Sequence, residues 1–295
     1  MKVGFIGLGK MGFNISLSMM NKGHDVIGYD NNPQLTRKLK KNGVKSASSL
    51  NELVKLLPHK KIIWLMLPSG NPTINTLEKL ITLLEKGSIV IDAGNSHFKH
   101  SMEKSEDFKK HHIYFLDCGT SGGIEGAKNG AVCMMIGGDK IAYDIIEPIV
   151  RDICVPNGYG YMGKSGSGHY TKMVHNGIEY GMMAAIAEGM QALRDSDFQL
   201  NLKEISRVFS NGSIIESKLM RWVNKSLQND NYLDQISGVV PKGDTENKMR
   251  YLVQNTNMAI LKQAILMRIE TRKKDSFAGK VISALRNQFG GHKVN

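Results

Sequence analysis

The feature that most constrains this chain is a short glycine run near its start. Gly7-Leu8-Gly9-Lys10-Met11-Gly12 is a G-x-G-x-x-G sequence. It follows Lys2–Ile6, which reads as a short buried strand, and opens Phe13–Lys22, which has helical composition and stops at Gly23. A second strand, His24–Tyr29, ends at Asp30, eighteen positions after Gly12. The glycines alone are a weak signal. A strand before them, a helix after them and an acid closing the next strand make them a dinucleotide loop. Gly7 permits the tight turn, Gly9 lets backbone approach a pyrophosphate, and Gly12 allows the helix to pack closely on the strand. The helix N-terminus then offers unpaired N–H groups and a positive dipole end to the phosphates.

Asp30 bears on the choice of cofactor. A carboxylate there can accept hydrogen bonds from the adenosine ribose and would repel a 2′-phosphate. An NADP site commonly places Arg just after this position, whereas this chain has Asn31-Asn32. NAD is therefore the expected cofactor, with NADP less favoured; Arg37 and Lys38 are nearby cations that soften the preference. The cofactor set comprises Gly7, Leu8, Gly9, Lys10, Met11, Gly12, Asp30, Asn31 and Asn32, together with Leu67 and Asn95.

Further strand-like runs are Lys61–Leu67, Ser88–Asp92, Ile113–Leu116, Val132–Ile136 and Tyr159–Met162. Helix-compatible segments, Pro33–Asn42, Ser49–Leu57 and Thr73–Glu85, separate the earlier ones. That alternation predicts an α/β Rossmann-type fold with a doubly wound parallel sheet. The texture changes at Gly158, Gly160, Gly163, Gly166 and Gly168, which mark a junction. Residues 1–163 are read as the NAD-binding domain and 164–295 as an all-α domain, to which the family resemblance given below assigns substrate binding and dimerisation. The predicted helices there are Thr171–Asp195, one capped by Asn201 and Glu204 and ended by Gly212, Ile215–Leu227, Glu246–Lys273 and Phe277–Gln288.

Composition narrows the class of partner. Lys plus Arg number 39 against 27 Asp plus Glu, a formal charge of +12. The basic residues lie in scattered groups, such as Lys60-Lys61 and Arg272-Lys273-Lys274, with no basic tail and no aromatic-interleaved signature. A solvated surface accounts for the excess, a positive field that attracts small anions fits equally well, and no nucleic-acid partner is expected. The apolar run Ile62–Leu67 is far short of the roughly 20 residues that cross a bilayer. Neither a membrane partner nor a secretory segment is expected. Cys118, Cys133 and Cys154 lack metal-ligand spacing and cannot pair completely, so the reading is a reduced cytoplasmic protein without a metal.

The segment Lys172-Met173-Val174-His175-Asn176-Gly177-Ile178-Glu179-Tyr180 carries the chemistry. On a helix Lys172, His175, Asn176 and Glu179 fall at i, i+3, i+4 and i+7, one face over two turns. Met173, Val174 and Ile178 lie on the other faces, and Met182–Ala187 is largely apolar, so the helix is expected to be buried with its polar stripe facing a cavity. Two polar loops close strands upstream: Asp92–Ser96, and Asp117-Cys118-Gly119-Thr120-Ser121-Gly122-Gly123. In an open parallel sheet ligands bind at such carboxyl ends, and Ser121-Gly122-Gly123 offers a hydroxyl and backbone N–H groups to an anion.

On these residues the chain resembles the decarboxylating 6-phosphogluconate dehydrogenases, within the wider β-hydroxyacid dehydrogenase superfamily. The Lys172–Tyr180 segment and the tail Arg286-Asn287-Gln288-Phe289-Gly290-Gly291-His292 carry the resemblance most specifically. The length matches the family's short form. The resemblance implies oxidative decarboxylation of a sugar-acid phosphate, with Lys172 as general base at the C3 hydroxyl and Glu179 as the acid that protonates the product. A free lysine, with pKa about 10.4, must be lowered towards roughly 7–8 for that task. It also implies that Asn95, Ser121, Gly122, Gly123, His175, Asn176 and Tyr180 hold the sugar acid, with Lys242, Arg268, Arg286 and His292 towards the phosphate. It further implies a place in the pentose phosphate pathway and gluconate utilisation. A homodimer or higher oligomer is expected, with sites shared through the C-terminal tail. One region departs: Pro241-Lys242-Gly243-Asp244-Thr245 sets an acid where the family places phosphate ligands. The alternatives are another β-hydroxyacid dehydrogenase acting on a different acid, and a non-enzymatic NAD- or nucleic-acid-binding protein.

Overall fold

The computed structural model describes residues 1–228, 230–243 and 245–294. The chain divides into two compact units, Met1–Lys172 and Met173–Asn295. The first is built on one eight-stranded sheet. Its strands are β1 (Lys2–Ile6), β2 (Asp25–Tyr29), β3 (Lys45–Ser46), β4 (Ile62–Leu65), β5 (Ile89–Asp92), β6 (Tyr114–Ser121), β7 (Val132–Gly138) and β8 (Cys154–Gly163). They run in the order β3-β2-β1-β4-β5-β6-β7-β8. Helices α1 (Lys10–Asn21), α2 (Pro33–Lys41), α3 (Leu50–Leu56), α4 (Asn71–Leu83), α5 (Phe98–Lys110), α6 (Gly123–Lys128) and α7 (Lys140–Ile153) connect them.

Both faces of the sheet are covered, which is why its strands read as continuous apolar runs. Phe5, Trp64, Ile91 and Leu116 point to one side, against Ile15 and Met19 of α1 and Ile146 and Ile149 of α7. Ile6, Ile63, Leu65, Val90 and Phe115 point to the other, against Leu53, Leu77, Leu80 and Phe108. The pairing is parallel throughout except between β6 and β7, which are antiparallel. The segment 122–131 between them is too short for a parallel crossover, which needs a dozen or more residues. The doubly wound parallel sheet expected from the sequence is thus present, with one antiparallel pair within it.

The second unit contains no strand among the described residues. Helix α8 (Ser167–Arg194) begins in the first unit and runs into the second, followed by α9 (Leu202–Phe209), α10 (Lys218–Leu227), α11 (Thr245–Asn255), α12 (Ala259–Thr271) and α13 (Phe277–Gly290). Met183, Ala187 and Met190 of α8 form its core with Met220, Val223 and Leu227 of α10 and Phe277, Val281 and Leu285 of α13. The Asn201 side chain accepts from the Glu204 N–H and starts α9. The single helix expected over Glu246–Lys273 is two helices, broken at residues 256–258. There the Thr256 hydroxyl donates to the Leu252 carbonyl and the Asn255 amide to the Tyr251 carbonyl. Such side chains compete with the helix for its own acceptors.

The first compact unit extends to Lys172 and so takes in the first turn of α8. The reason is local. A Cβ on Gly168 would lie 2.3 Å from the Asp117 carbonyl oxygen and 2.6 Å from that of Met135, so the first turn of α8 rests directly on β6 and β7.

Candidate active site

The glycine loop is shaped as its sequence requires. Gly7 has φ +95°, and a Cβ there would meet the Met66 carbonyl oxygen at 2.4 Å and Leu67 Cδ2 at 2.9 Å. A Cβ on Gly12 would lie 2.0 Å from the Gly7 carbonyl oxygen, so α1 packs on β1 through bare backbone. Above Gly9 there is open space, with nothing within 4 Å of an added Cβ. These are the cradle and the approach that a dinucleotide pyrophosphate needs, and the loop fits that group. Leu67 and Gly94 meet at the ends of β4 and β5, where a Gly94 Cβ would be 2.8 Å from the Leu67 carbonyl oxygen. Gly7, Leu67 and the Asn95 loop are thereby brought to neighbouring strand ends.

Two cofactor candidates are engaged differently from the reading of sequence. Leu8 is buried, and its N–H donates to Asp30 Oδ2 at 2.7 Å. Asp30 Oδ1 accepts from the Asn32 N–H at 2.8 Å. The carboxylate thus ties the loop to the end of β2, with lone pairs left for a ribose. Lys10, Asn31 and Asn32 are exposed, and Met11 is half-buried.

Helix α8 presents Lys172, His175, Asn176 and Glu179 as a half-buried stripe. It is not buried all round: Ile178 is 56% exposed and Met182 43%. Its sunken face is the line Met173, Gly177, Tyr180 and Met183. His175 Nδ1 lies 3.2 Å from Asn176 Oδ1 and 3.9 Å from Glu179 Oε2, so the stripe is internally coupled. Lys172 sits over β6: a Cβ on Gly119 would be 2.3 Å from Lys172 Cβ. The same strand ends at Ser121, followed by Gly122 and Gly123 at φ +119° and +69°. Only glycine tolerates two such residues in succession readily.

The second unit holds a group of guanidiniums. Arg268, on α12, is 5% exposed, and its guanidinium lies 3.5 Å from the centre of the Tyr180 ring. Arg286, on α13, is 8% exposed, with Nη2 3.4 Å from where a Gly243 Cβ would be. Among the described residues neither has a carboxylate within 4.0 Å. Burial pushes the Arg268 pKa down to about 10, and proximity to Arg286 adds to the effect. Burial lowers Arg286 likewise. Burying uncompensated charge is costly, and an anion between such groups would relieve the cost. The candidate Lys242 is exposed beside this region, and Asp244 lies outside the described residues. His292 stands edge-on to Phe289, and its carbonyl accepts from Asn287. The tail folds back on its own chain, the Ser237 N–H donating to the Val294 carbonyl at 2.8 Å.

One organising residue was missed by sequence reasoning. Glu246, buried at the start of α11, pairs with Arg250 at 2.7 Å and with Arg272, whose Nε donates to the Val240 carbonyl at 2.9 Å. Its signal was present in the Glu246–Arg250 spacing of four, but the second partner, Arg272, comes from α12's C-terminal edge. Among the described residues no cluster of three or more His, Cys, Asp or Glu could hold a metal ion, and no helix is long and apolar enough to cross a membrane.

The family model for the NAD binding domain of 6-phosphogluconate dehydrogenase matches residues 2–163, and that for the 6-phosphogluconate dehydrogenase C-terminal domain matches 168–197. The NAD(+)-dependent, decarboxylating 6-phosphogluconate dehydrogenase of Haloferax volcanii is 35% identical, over 100% of this chain and 98% of its own. The chain belongs to the 6-phosphogluconate dehydrogenase family. YqeC of Bacillus subtilis, whose 6-phosphogluconate dehydrogenase name is provisional, is 43% identical over 99% of this chain and 98% of its own. Among solved structures, Plasmodium falciparum 6-phosphogluconate dehydrogenase superposes with a TM-score of 0.85 at 27% identity, covering 93% of this chain. This chain spans 62% of that enzyme, which was studied with NADP+ and with 6-phosphogluconate. The family's sugar-acid phosphate chemistry is thus set beside a chain that buries two guanidiniums.

The Glu246 cluster generates a prediction about stability. Burial alone would raise the Glu246 carboxyl, but hydrogen bonds from Arg272 and Arg250 outweigh it and hold it below the usual carboxylate range. Its contribution is therefore fully present above an unfolded value of about 4.3 and is lost as pH falls through the lower folded value. Because Arg250 and Arg272 are partly exposed, Glu246→Gln should cost about 3 kcal/mol at most at pH 7. Urea midpoints of both proteins should converge as pH falls below about 4; a gap that stays constant would remove the ion pairs as its cause.

Proposed function

We propose that this chain oxidises and decarboxylates 6-phosphogluconate to ribulose 5-phosphate and CO₂, with reduction of NAD. The observation that carries the reading is the buried pair Arg268 and Arg286 near Tyr180, which suits a phosphorylated substrate and not a simple hydroxy acid. A guanidinium can hold phosphate bidentately, and in a dry setting it does so strongly.

The roles follow residue by residue. Gly7 to Gly12, Asp30, Asn31, Asn32 and Leu67 would hold the dinucleotide, and Asn95 stands where the cofactor and substrate loops adjoin. A nicotinamide held there would supply the acceptor for the hydride that leaves the substrate's C3. Lys172 takes the proton from the C3 hydroxyl, leaving a 3-keto acid. The C1–C2 bond then breaks, CO₂ leaves, and the electron pair passes through C2 to the C3 carbonyl oxygen, which Lys172 protonates. Glu179 delivers a proton to the carbon that lost CO₂, and ribulose 5-phosphate results. Ser121, Gly122, Gly123, His175 and Asn176 orient the sugar acid; Tyr180, Lys242, Arg268, Arg286 and His292 serve its phosphate end.

The test is direct. The protein should reduce NAD with release of one CO₂ per turnover of 6-phosphogluconate. Turnover confined to unphosphorylated hydroxy acids would favour the wider superfamily instead. Lys172→Met should lower kcat by about 10²–10⁴-fold with the NAD Kd unchanged, since general acid–base groups contribute on that scale. Near-normal turnover in that variant would remove the lysine from the mechanism.

NAD is read as the preferred cofactor because Asp30 is followed by exposed Asn31 and Asn32 and no phosphate-binding Arg. Asn31→Arg should narrow the preference towards NADP. An unmodified protein with equal or higher kcat/KM for NADP would sink this reading.

We read the assembly as a cytoplasmic homodimer or higher homo-oligomer whose sites are shared through the C-terminal tail that carries Arg286 and His292. Mixing inactive Lys172→Met and Arg286→Ala proteins, with demonstrated subunit exchange, should then restore part of the activity, because one site of each mixed dimer holds both residues intact. No recovery after demonstrated exchange would assign Arg286 to its own chain, where it is buried.

A further inference from the structure

We propose that Asp117 is a positioning residue for Lys172. It fixes the first turn of α8 on β6, and so sets where the lysine stands relative to Ser121 at the end of the same strand. The proposal rests on the reading of Lys172 as the general base.

Asp117 is fully buried in the middle of β6. Its Oδ1 accepts from the Gly166 N–H and its Oδ2 from the His169 N–H, both at 2.7 Å. These are donors at the start of α8, which an α-helix cannot satisfy internally. A side-chain cap ordinarily comes from the residue just before the helix. Here that residue is Gly166, at φ +89°, which has no side chain to offer. The cap comes instead from a strand 49 and 52 residues earlier in the chain. A local cap ends a helix; a cap lent by the sheet also pins the helix in place.

Three glycines remove everything that would hold the two elements apart. A Cβ on Gly137 would lie 2.4 Å from Ser167 Oγ and 2.9 Å from Asp117 Oδ1. One on Gly168 would lie 2.3 Å from the Asp117 carbonyl oxygen, and one on Gly119 2.3 Å from Lys172 Cβ. A third tie comes from α5, where the Ser101 hydroxyl lies 2.7 Å from His169 Nδ1. Lys172 is one turn beyond His169, so its backbone has little freedom to drift. Asp117, Gly119 and Ser121 alternate along one strand and project to the same face. In succession they supply the anchor, the space beneath the lysine and the loop hydroxyl.

Rate depends steeply on such placement: an error of about 1 Å can cost about 10²-fold. In Asp117→Asn one oxygen becomes an NH₂ group that faces an N–H donor, so one of the two ties is lost. The experiment compares this variant with the parent protein, using NAD-binding stoichiometry to count folded sites. The substrate is 6-phosphogluconate, unlabelled and deuterated at C3. The expected result is kcat per NAD site lowered about 10–100-fold, with an unchanged NAD Kd and a C3 isotope effect at or above the parent's. A merely structural role would reduce the number of NAD sites and leave kcat per site unchanged, and that result overturns the proposal. If Asp117→Asn does not accumulate as folded protein, Ser101→Ala, which cuts only the third tie, decides. It should lower kcat per site several-fold, and a parental value would overturn the proposal. A parent that does not turn over 6-phosphogluconate at all brings down the functional reading itself, an outcome separate from failure of the positioning claim.

Discussion

The contact between the first turn of α8 and the backbones of β6 and β7 is the constraint on which much else depends. Gly119, Gly137 and Gly168 are each in a place where a single methyl would collide with backbone or with Lys172. Close backbone approach has a thermodynamic cost in glycine entropy, about 0.5–1 kcal/mol at each position relative to Ala. It is offset because helix donors find a carboxylate, and carbonyl and amide groups of β6 and β7 are shielded without loss of their ladder. The antiparallel turn between β6 and β7 matters here. It brings Gly137 back alongside Asp117, their register partners across the two strands. A parallel β7 would have needed a crossover on one face of the sheet, where α8 now begins.

The second unit works by the opposite principle, an unsatisfied demand. Its helices bury Arg268 and Arg286, while Glu246, a buried carboxylate among the described residues, is already paired with Arg250 and Arg272. Tyr180 supplies a ring face to Arg268, which stabilises a cation by about 0.5–2 kcal/mol but does not neutralise it. A buried cation with no carboxylate at contact distance among the described residues is a place where an anionic ligand would bind favourably. The same logic explains why burial pulls the Arg268 pKa down without discharging it, since about 10 still leaves the group cationic at neutral pH.

Much of the first unit was legible because its signals are local. The run Gly7–Gly12, flanked by β1 and α1 and followed by Asp30, has few alternative folds. The Asn201 cap of α9 and the polar stripe of α8 were legible for the same reason: each is written within one or two turns. Helices α5 and α7 were not. Residues 98–110 are mostly polar, with only Ser101 and Phe108 buried, and Pro148 interrupts the pattern of α7. The break between α11 and α12 depends on Asn and Thr side chains turning back on carbonyls, which spacing alone does not reveal. Glu246 and Asp117 were invisible as organisers because their partners come from other elements. What a sequence shows least is which distant backbone a carboxylate will meet.

Asp30 illustrates how one side chain serves two demands. In sequence it reads only as a ribose ligand, yet in the fold it also holds the Leu8 N–H of the glycine loop and the Asn32 N–H that precedes α2. Removing it would leave a buried loop donor without its acceptor, at a cost of about 1–3 kcal/mol, before any nucleotide is considered. Loop shape and ribose recognition are therefore not independent at this residue. Asn31 and Asn32 are different: both are exposed, and Asn32 uses its side chain only to accept from the Gln34 N–H at the start of α2. A substitution at Asn31 leaves in place the hydrogen bonds by which Asp30 holds the glycine loop and the start of α2. The carboxylate keeps the architecture, and the proposed preference for NAD is separable from it at the residue that follows.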